Sequence, residues 1–282
     1  MARHTSLAPL CNVLVSSKQL LAYRGQQDQP AQANTAIFQV SLVTRTAGIL
    51  LRLPQEVIAI SIILLQRHLI ADSDTDLLKI ADYSAESNLI RASSGAVYLA
   101  AKDSFYHLSP RSVINVYGLL TSTTSSPLRF ISSSGHPSDD SPDPNTYLVS
   151  EGTYQRRREQ LFIAEKSILV SLGFDTKVVL PYTFALTYLQ ALSASTKDLA
   201  ERTLAHLNTA LLSPQFLYLT HQPNQLAVAA IYLAARDHGI VLVDEEVPWW
   251  EVFDVGREEL GFLVLSLASI ESFAKAQELD GS

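Results

Sequence analysis

One cysteine, Cys11, stands in 282 residues. An internal disulfide framework and a cysteine-based zinc site are both excluded, which fits a reducing compartment, the cytosol or the nucleus. Charge is also scarce. Only 17% of the residues are Asp, Glu, Lys or Arg against 47% hydrophobic, below the usual quarter, so some apolar surface is expected to meet a partner. Positive charge is the scarcer sign, with 21 Lys and Arg facing 28 Asp and Glu for a net charge of −7. A chain so balanced lacks the basic surface that neutralising phosphates requires, and direct nucleic-acid binding is not expected. Long apolar runs are missing too. A run such as Val57 to Leu65 is far below membrane-spanning length, and the first residues lack the apolar core of a signal peptide. The expectation is a soluble, non-secreted protein without membrane contact. Enzyme signatures are absent as well: the seven histidines (His4, His68, His107, His136, His206, His221, His238) show no metal-binding spacing, and no nucleophile elbow or phosphate-cradling Gly loop occurs. No catalytic residue, metal or cofactor is expected.

What is present is a repeat. Gly95-Ala96-Val97-Tyr98-Leu99-Ala100-Ala101-Lys102 is said again as Ala229-Ala230-Ile231-Tyr232-Leu233-Ala234-Ala235-Arg236. Small and aliphatic residues all round a helix let other helices approach from several sides, which is the composition of a helix at the centre of a bundle. Two such hubs imply two helical bundles in tandem, and 282 residues are comfortable for two cores.

Helical spacing fills in the rest. Residues 1–33 read as a short helix and a polar linker. From Asn34 the apolar positions Ile37, Val40, Val43, Ala47 and Leu50 mark a first helix that Pro54 ends. A second runs from Pro54 to about Ile70, the hub from about Ser84 to Lys102, and a fourth opens at Ser109-Pro110 with Val113, Val116 and Leu120. Residues 121–152 turn to Ser, Thr, Pro, Gly and Asp and read as a polar insertion, poorly ordered and dispensable for folding, with Ser126-Pro127 and Ser141-Pro142 as minimal sites for proline-directed kinases. A fifth helix carries Leu161, Ala164, Ile168 and Leu169, with Gly173 at its C′ position. The second half repeats the rhythm: Pro181–Leu192, Lys197–Leu212, the hub Pro223–Arg236, a short fourth helix around Trp249–Val255, and a fifth from about Arg257 to Gln277. Ile240–Val243 offers at most a short extended piece. The class is all-α, with bundles at 34–174 and 178–275 and a short tail at 276–282.

These residues resemble the cyclin family, and within it cyclin L most, with cyclin Q as the nearest rival. Ala47-Gly48-Ile49-Leu50-Leu51-Arg52-Leu53-Pro54-Gln55 is similar to the start of a first cyclin box, and Gln66-Arg67 follows at the family's distance. Leu99-Ala100-Ala101-Lys102 with Val113-Ile114-Asn115-Val116 resembles its third and fourth helices, Glu165 to Phe174 its fifth, and Pro248-Trp249-Trp250-Glu251-Val252-Phe253 part of the second box. Two departures stand out: Asp103-Ser104-Phe105 replace the paired glutamates usual after the lysine, and the arginine/serine-rich tail common in cyclin L does not occur in these residues.

The resemblance implies a non-catalytic regulatory subunit that docks on the small lobe of a cyclin-dependent kinase acting in transcription or pre-mRNA splicing, hence a nuclear protein, possible contacts with other splicing or transcription factors included. The alternative is a cyclin-fold scaffold or adaptor in a nuclear RNA-processing or transcription complex that activates no kinase. The resemblance assigns kinase binding to Lys102 and Glu165; the bland reading of the first is a helix C-terminal cation and of the second an exposed acid. Arg236, the repeat-equivalent cation, has no such role implied. Trp249 and Trp250 are possible partner contacts, with packing of the short fourth helix as the competing reading. Arg156-Arg157-Arg158, the only dense basic run, either attracts acid or phosphate groups or is a solvated helix face.

Overall fold

The computed structural model describes residues 11–25, 29–71, 83–122, 150–242 and 247–280. Every regular element among them is helical, and they divide between two compact units. The first unit comprises Ser17–Thr176, Leu211–Gln215 and Phe273–Ser282; the second comprises Met1–Ser16, Lys177–Ala210 and Phe216–Ser272.

In the first unit α1 (Ser17–Gly25) precedes α2 (Pro30–Leu50), α3 (Gln55–Ala71), α4 (Tyr83–Asp103), α5 (Pro110–Ser122) and α6 (Glu151–Ser171). α2 starts a turn before the expected Asn34, because Pro30 occupies the first helical position, where its missing N–H would be unpaired in any case. α4 is the hub. It packs on α2, α3, α5 and α6, and Ala96, Val97, Ala100 and Ala101 are fully buried. Small side chains there let four helices close on one axis. Gly48 serves the same end between α2 and α3, since a Cβ there would come within 2.6 Å of Ile58 Cγ1.

Three of these helices are also joined by a chain of buried hydroxyls. Thr44 of α2 bonds Ser93 of α4 at 2.7 Å, and Ser93 bonds Tyr117 of α5 at 2.6 Å. Thr44 donates its proton to Val40 O in its own helix, so none of the three is an orphan, which is the condition for keeping polar groups in a core. Burial holds the Tyr117 hydroxyl far above the ordinary tyrosine range.

The second unit is built from α7 (Tyr182–Ala191), α8 (Lys197–Ala210), the one-turn α9 (Leu217–Thr220), α10 (Pro223–Asp237) and most of α11 (Arg257–Asp280). α10 is its hub, packed on α7, α8 and α9, with Ala227 to Ile231 fully buried. Both octets thus lie at the centre of a bundle. The expected fourth helix at Trp249–Val255 is corrected to a single 3-10 turn, Glu251–Phe253. Pro248 fixes its start, and Asp254 enters the left-handed region at φ 58°, which ends the helical path after one turn. Ile240–Leu242 forms no strand. The expectations placed on 123–149, including order and the two Ser-Pro sites, lie outside the described residues.

Both hubs close with the same hydrogen-bond motif. After α10, Gly239 (φ 64°) donates to Arg236 O and Ile240 N–H to Ala235 O at 2.8 Å. After α4, Phe105 N–H donates to Lys102 O and Tyr106 N–H to Ala101 O at 2.8 Å. This is the Schellman closure, whose C′ residue must be left-handed. The second hub spends a glycine there; the first places Phe105, at φ 60°.

Candidate functional site

The C-terminal end of α4 meets the middle of α6, and the reason is legible in one residue. A Cβ on Gly95 would come within 2.9 Å of Ala164 Cβ and 3.0 Å of the Ala164 and Glu165 backbone. Only glycine lets the α6 backbone pass this close, and the approach carries Glu165 onto Lys102 at the next turns of α4. Lys102 Nζ donates to Glu165 Oε1 at 2.6 Å. The lysine side chain is half exposed while the glutamate side chain is 11% exposed. The hydrogen bond to Glu165 holds the lysine above its ordinary pKa, against a smaller effect of burial. Both residues singled out in sequence are therefore brought together as one ion pair, with the carboxylate inside and the ammonium at the rim.

Aromatic rings support the pair. Lys102 Nζ lies 5.1 Å from the centroid of the Tyr98 ring one turn earlier. Tyr98 packs against Phe162 at 6.0 Å, and the Arg158 guanidinium covers Phe162 at 5.3 Å. Cations over ring faces are attracted by the ring quadrupole. Asp103, next in line, accepts from Thr176 Oγ1 at 3.1 Å and ties the exit of α6 to the end of α4. α6 itself is fixed at both ends: Ser150 caps it by accepting from Thr153 N–H, and Gly173 (φ 57°) closes it as anticipated.

Around this pair the surface is apolar. Phe105 is 91% exposed, Ile163 is 67% exposed, and Tyr106, Phe162, Val170 and Phe174 also meet solvent. Single exposed apolar residues are ordinary; here six fall at the exit of α4, along α6 and at its exit. Sequence reasoning missed Phe105 and the Tyr98–Phe162–Arg158 stack. One signal was available, since the first octet opens with Gly95 where the second has Ala229, and a glycine in a hub marks a close helix approach.

The remaining candidates are placed as follows. Trp249 is buried, 5.9 Å from Trp250 and 6.4 Å from Phe253 between ring centroids, and Phe253 stacks on Tyr188 at 3.9 Å. Trp249 thus packs the interior of the second unit, as the competing reading has it; Trp250 is half-buried and its Nε1 has no hydrogen-bond partner among the described residues. Arg236 is exposed beside Asp237 at 3.9 Å. Asp237 is held instead by Arg202 at 2.6 Å and His206 Nε2 at 2.9 Å, a cluster that sequence gave no sign of. Among the described residues no group of three or more His, Cys, Asp or Glu side chains is placed to hold a metal ion, and no helix is long and apolar enough to cross a membrane.

A chain in the crystal structure of the yeast RNA polymerase II CTD kinase CTDK-1 complex superimposes with a TM-score of 0.66 at 12% identity, covering 93% of this chain and 73% of that one. The fold is the all-α cyclin-box fold. In sequence, the chain is 28% identical over 237 residues to chicken cyclin-L1, covering 84% of this chain and 39% of that protein. It is 30% identical over 227 residues to human cyclin-L2, covering 80% and 38%. A cyclin-L1-like protein of Schizosaccharomyces pombe is 37% identical over 134 residues, 47% of this chain and 48% of that one. No protein-family profile matches the chain. Over about four fifths of its length the chain is similar to cyclins of the L type. It spans about two fifths of the length of the chicken and human relatives.

Proposed function

We propose that this chain is a regulatory subunit that binds and activates a cyclin-dependent kinase acting in transcription or pre-mRNA splicing, has no catalysis of its own, and works in the nucleus. The observation that carries this reading is the Lys102–Glu165 pair set in an exposed apolar rim. A protein kinase is active only when its β3 lysine is paired with a glutamate of the mobile αC helix, so a partner that grips αC in that position activates it. Moving a kinase from mostly inactive to mostly active takes roughly 5 kcal/mol of differential binding. Burying the exposed parts of Phe105, Ile163 and Phe162 (91%, 67% and 36% exposed) against a partner contributes about 3–6 kcal/mol in all, at about 1.5–3 kcal/mol per fully exposed side chain, comparable to that shift. The rim charges supply direction: the ammonium offers donors to carbonyl groups at a helix end, and Glu165 holds it in place.

Truncating one member of a charge pair at a desolvated interface costs about 2–5 kcal/mol, or roughly thirtyfold to several-thousandfold in affinity. Lys102→Ala and Glu165→Ala are each expected to lose kinase association and activation in pull-down and kinase assays. Glu165→Ala should change the melting temperature little, because it leaves a half-exposed ammonium that water solvates, whereas Lys102→Ala strands a nearly buried carboxylate at about 1–3 kcal/mol and should lower it. Variants that bind and activate like the wild type would overturn the kinase interface and favour the cyclin-fold scaffold.

A further inference from the structure

Ser-Pro occurs in the chain at Ser109, Ser126, Ser141 and Ser213. Ser126 and Ser141 lie outside the described residues, and the other two stand in opposite settings. Ser213 is 1% exposed, with its Oγ accepting from Gln215 N–H at 3.2 Å. Ser109 is exposed, the last residue of the irregular stretch 106–109 that links the exit of α4 to α5. Pro110 disfavours helical backbone at the residue before it, which is also what the residue capping a helix requires. Ser109 fills that place: its Oγ accepts from Ser112 N–H at 3.1 Å and lies 2.8 Å from Ser112 Oγ.

An exposed hydroxyl on non-helical backbone, followed by proline, is what a proline-directed kinase takes. Closing a substrate groove over the next residue's nitrogen leaves a buried N–H unpaired in every residue except proline. Opening the first turn of α5 to enter such a groove breaks little: Pro110 has no N–H, Ser112 N–H goes to the hydroxyl itself, and Val113 N–H reaches Ser109 O at 3.3 Å. We propose that Ser109 is a phosphorylation site for a proline-directed serine/threonine kinase. In the transfer Ser109 Oγ bonds to the γ-phosphorus of ATP as the bond from that phosphorus to the ADP oxygen breaks, and the hydroxyl proton passes to the kinase's catalytic aspartate. The product carries about two negative charges at the start of a helix whose own first turn holds no acid, so the phosphate takes over the cap with charge-assisted bonds to the same N–H groups. It also sets an anion three residues after Tyr106, at the exposed apolar exit of α4. The assignment does not depend on what the Lys102–Glu165 rim binds.

The test incubates the purified full chain with magnesium, ATP and a purified proline-directed serine/threonine kinase, beside a synthetic peptide of residues 104–114, and reads each site by mass spectrometry of proteolytic fragments. In the folded chain Ser109 should react within about tenfold of its rate in the peptide, because helix ends open at almost no cost. Ser213 should react at least about a hundredfold more slowly than Ser109, since reaching it requires opening the core. Pro110→Ala, which the first helical position tolerates, should slow phosphorylation of Ser109 about tenfold or more through the restored N–H. In a Ser126→Ala, Ser141→Ala background, where the shift reports Ser109 alone, the phosphorylated chain should melt about 1–4 °C above the unmodified one. A folded chain or a peptide left unmodified at Ser109, Ser213 modified as readily as Ser109, Pro110→Ala reacting at the wild-type rate, or a melting temperature that does not rise on phosphorylation would overturn the proposal.

Discussion

Replacing Phe105 by glycine should make the protein more stable and a poorer partner at once. Phe105 holds the C′ position of the hub helix at φ 60°, with its side chain 91% exposed. A non-glycine residue in the left-handed region costs about 1–2 kcal/mol through its Cβ. Glycine gives back about 0.5–1 kcal/mol through the extra freedom of the unfolded chain. The ring buries almost nothing, so its removal from the folded monomer is close to neutral. The balance is a gain of about 0.5–1 kcal/mol, which for a chain of this size raises the melting temperature by roughly 1–4 °C. Binding moves the other way. An exposed Phe that becomes buried against a partner contributes about 1.5–3 kcal/mol, so its loss weakens association roughly ten- to a hundredfold. Phe105→Ala separates the two effects, since it removes the ring and keeps the strain: its melting temperature should match the wild type, and its binding should match the glycine variant. The assays are thermal melts by circular dichroism and kinase pull-down on the same preparations. A lower melting temperature for Phe105→Gly would refute the strain, and unchanged association of both variants would refute the interface.

Gly95→Ala drives a Cβ to within 2.9 Å of Ala164 Cβ and 3.0 Å of the α6 backbone; overpacking of this kind costs about 1–3 kcal/mol, so a lower melting temperature and weaker partner binding through a displaced Glu165 should appear together. Burial holds His206 and His221 below the ordinary histidine pKa, the Asp237 bond opposing this at His206. The folded pKa lies below the unfolded one, so the native state resists protonation and stability, complete above about pH 6.5, falls as pH drops through that value toward the folded pKa. Urea melts from pH 7.5 to 5 should show this loss, and His206→Gln should flatten part of the slope; a stability that rises on acidification would contradict the assigned direction.

The hubs were legible because their composition is a packing statement: Ala96, Ala100 and Ala101, and Ala229, Ala230 and Ala234, are small where several helices converge, and each is buried. The apolar positions Ile37, Val40, Val43 and Ala47 proved to be the buried face of α2 for the same reason. Lys102 and Glu165 were found through family likeness, not through spacing, since 63 residues separate them. What escaped depends on pairings that no local pattern encodes. The left-handed Phe105 sits where propensity favours glycine, and Tyr232 is more exposed than its counterpart Tyr98, at 37% against 9%. The fourth helix of the second bundle failed because Trp249 and Phe253 are held by ring packing, which a 3-10 turn serves as well as a helix. The His206–Asp237–Arg202 cluster joins α8 to α10 across 31 and 35 residues and leaves no trace in either segment.

The hydroxyl chain from Thr44 through Ser93 to Tyr117 constrains how this core can drift through descent. Changing Ser93 alone to an apolar residue strands the buried Tyr117 hydroxyl, at about 1–3 kcal/mol, while Thr44 keeps its bond to Val40 O; changing Ser93 and Tyr117 together to residues of similar shape is close to neutral. The single step at Ser93 is therefore penalised and the compound step is tolerated, so lineages should hold Ser93 with Tyr117 or have exchanged both for an oily pair. Mixed states would be the rare, short-lived intermediates between two equally viable interiors.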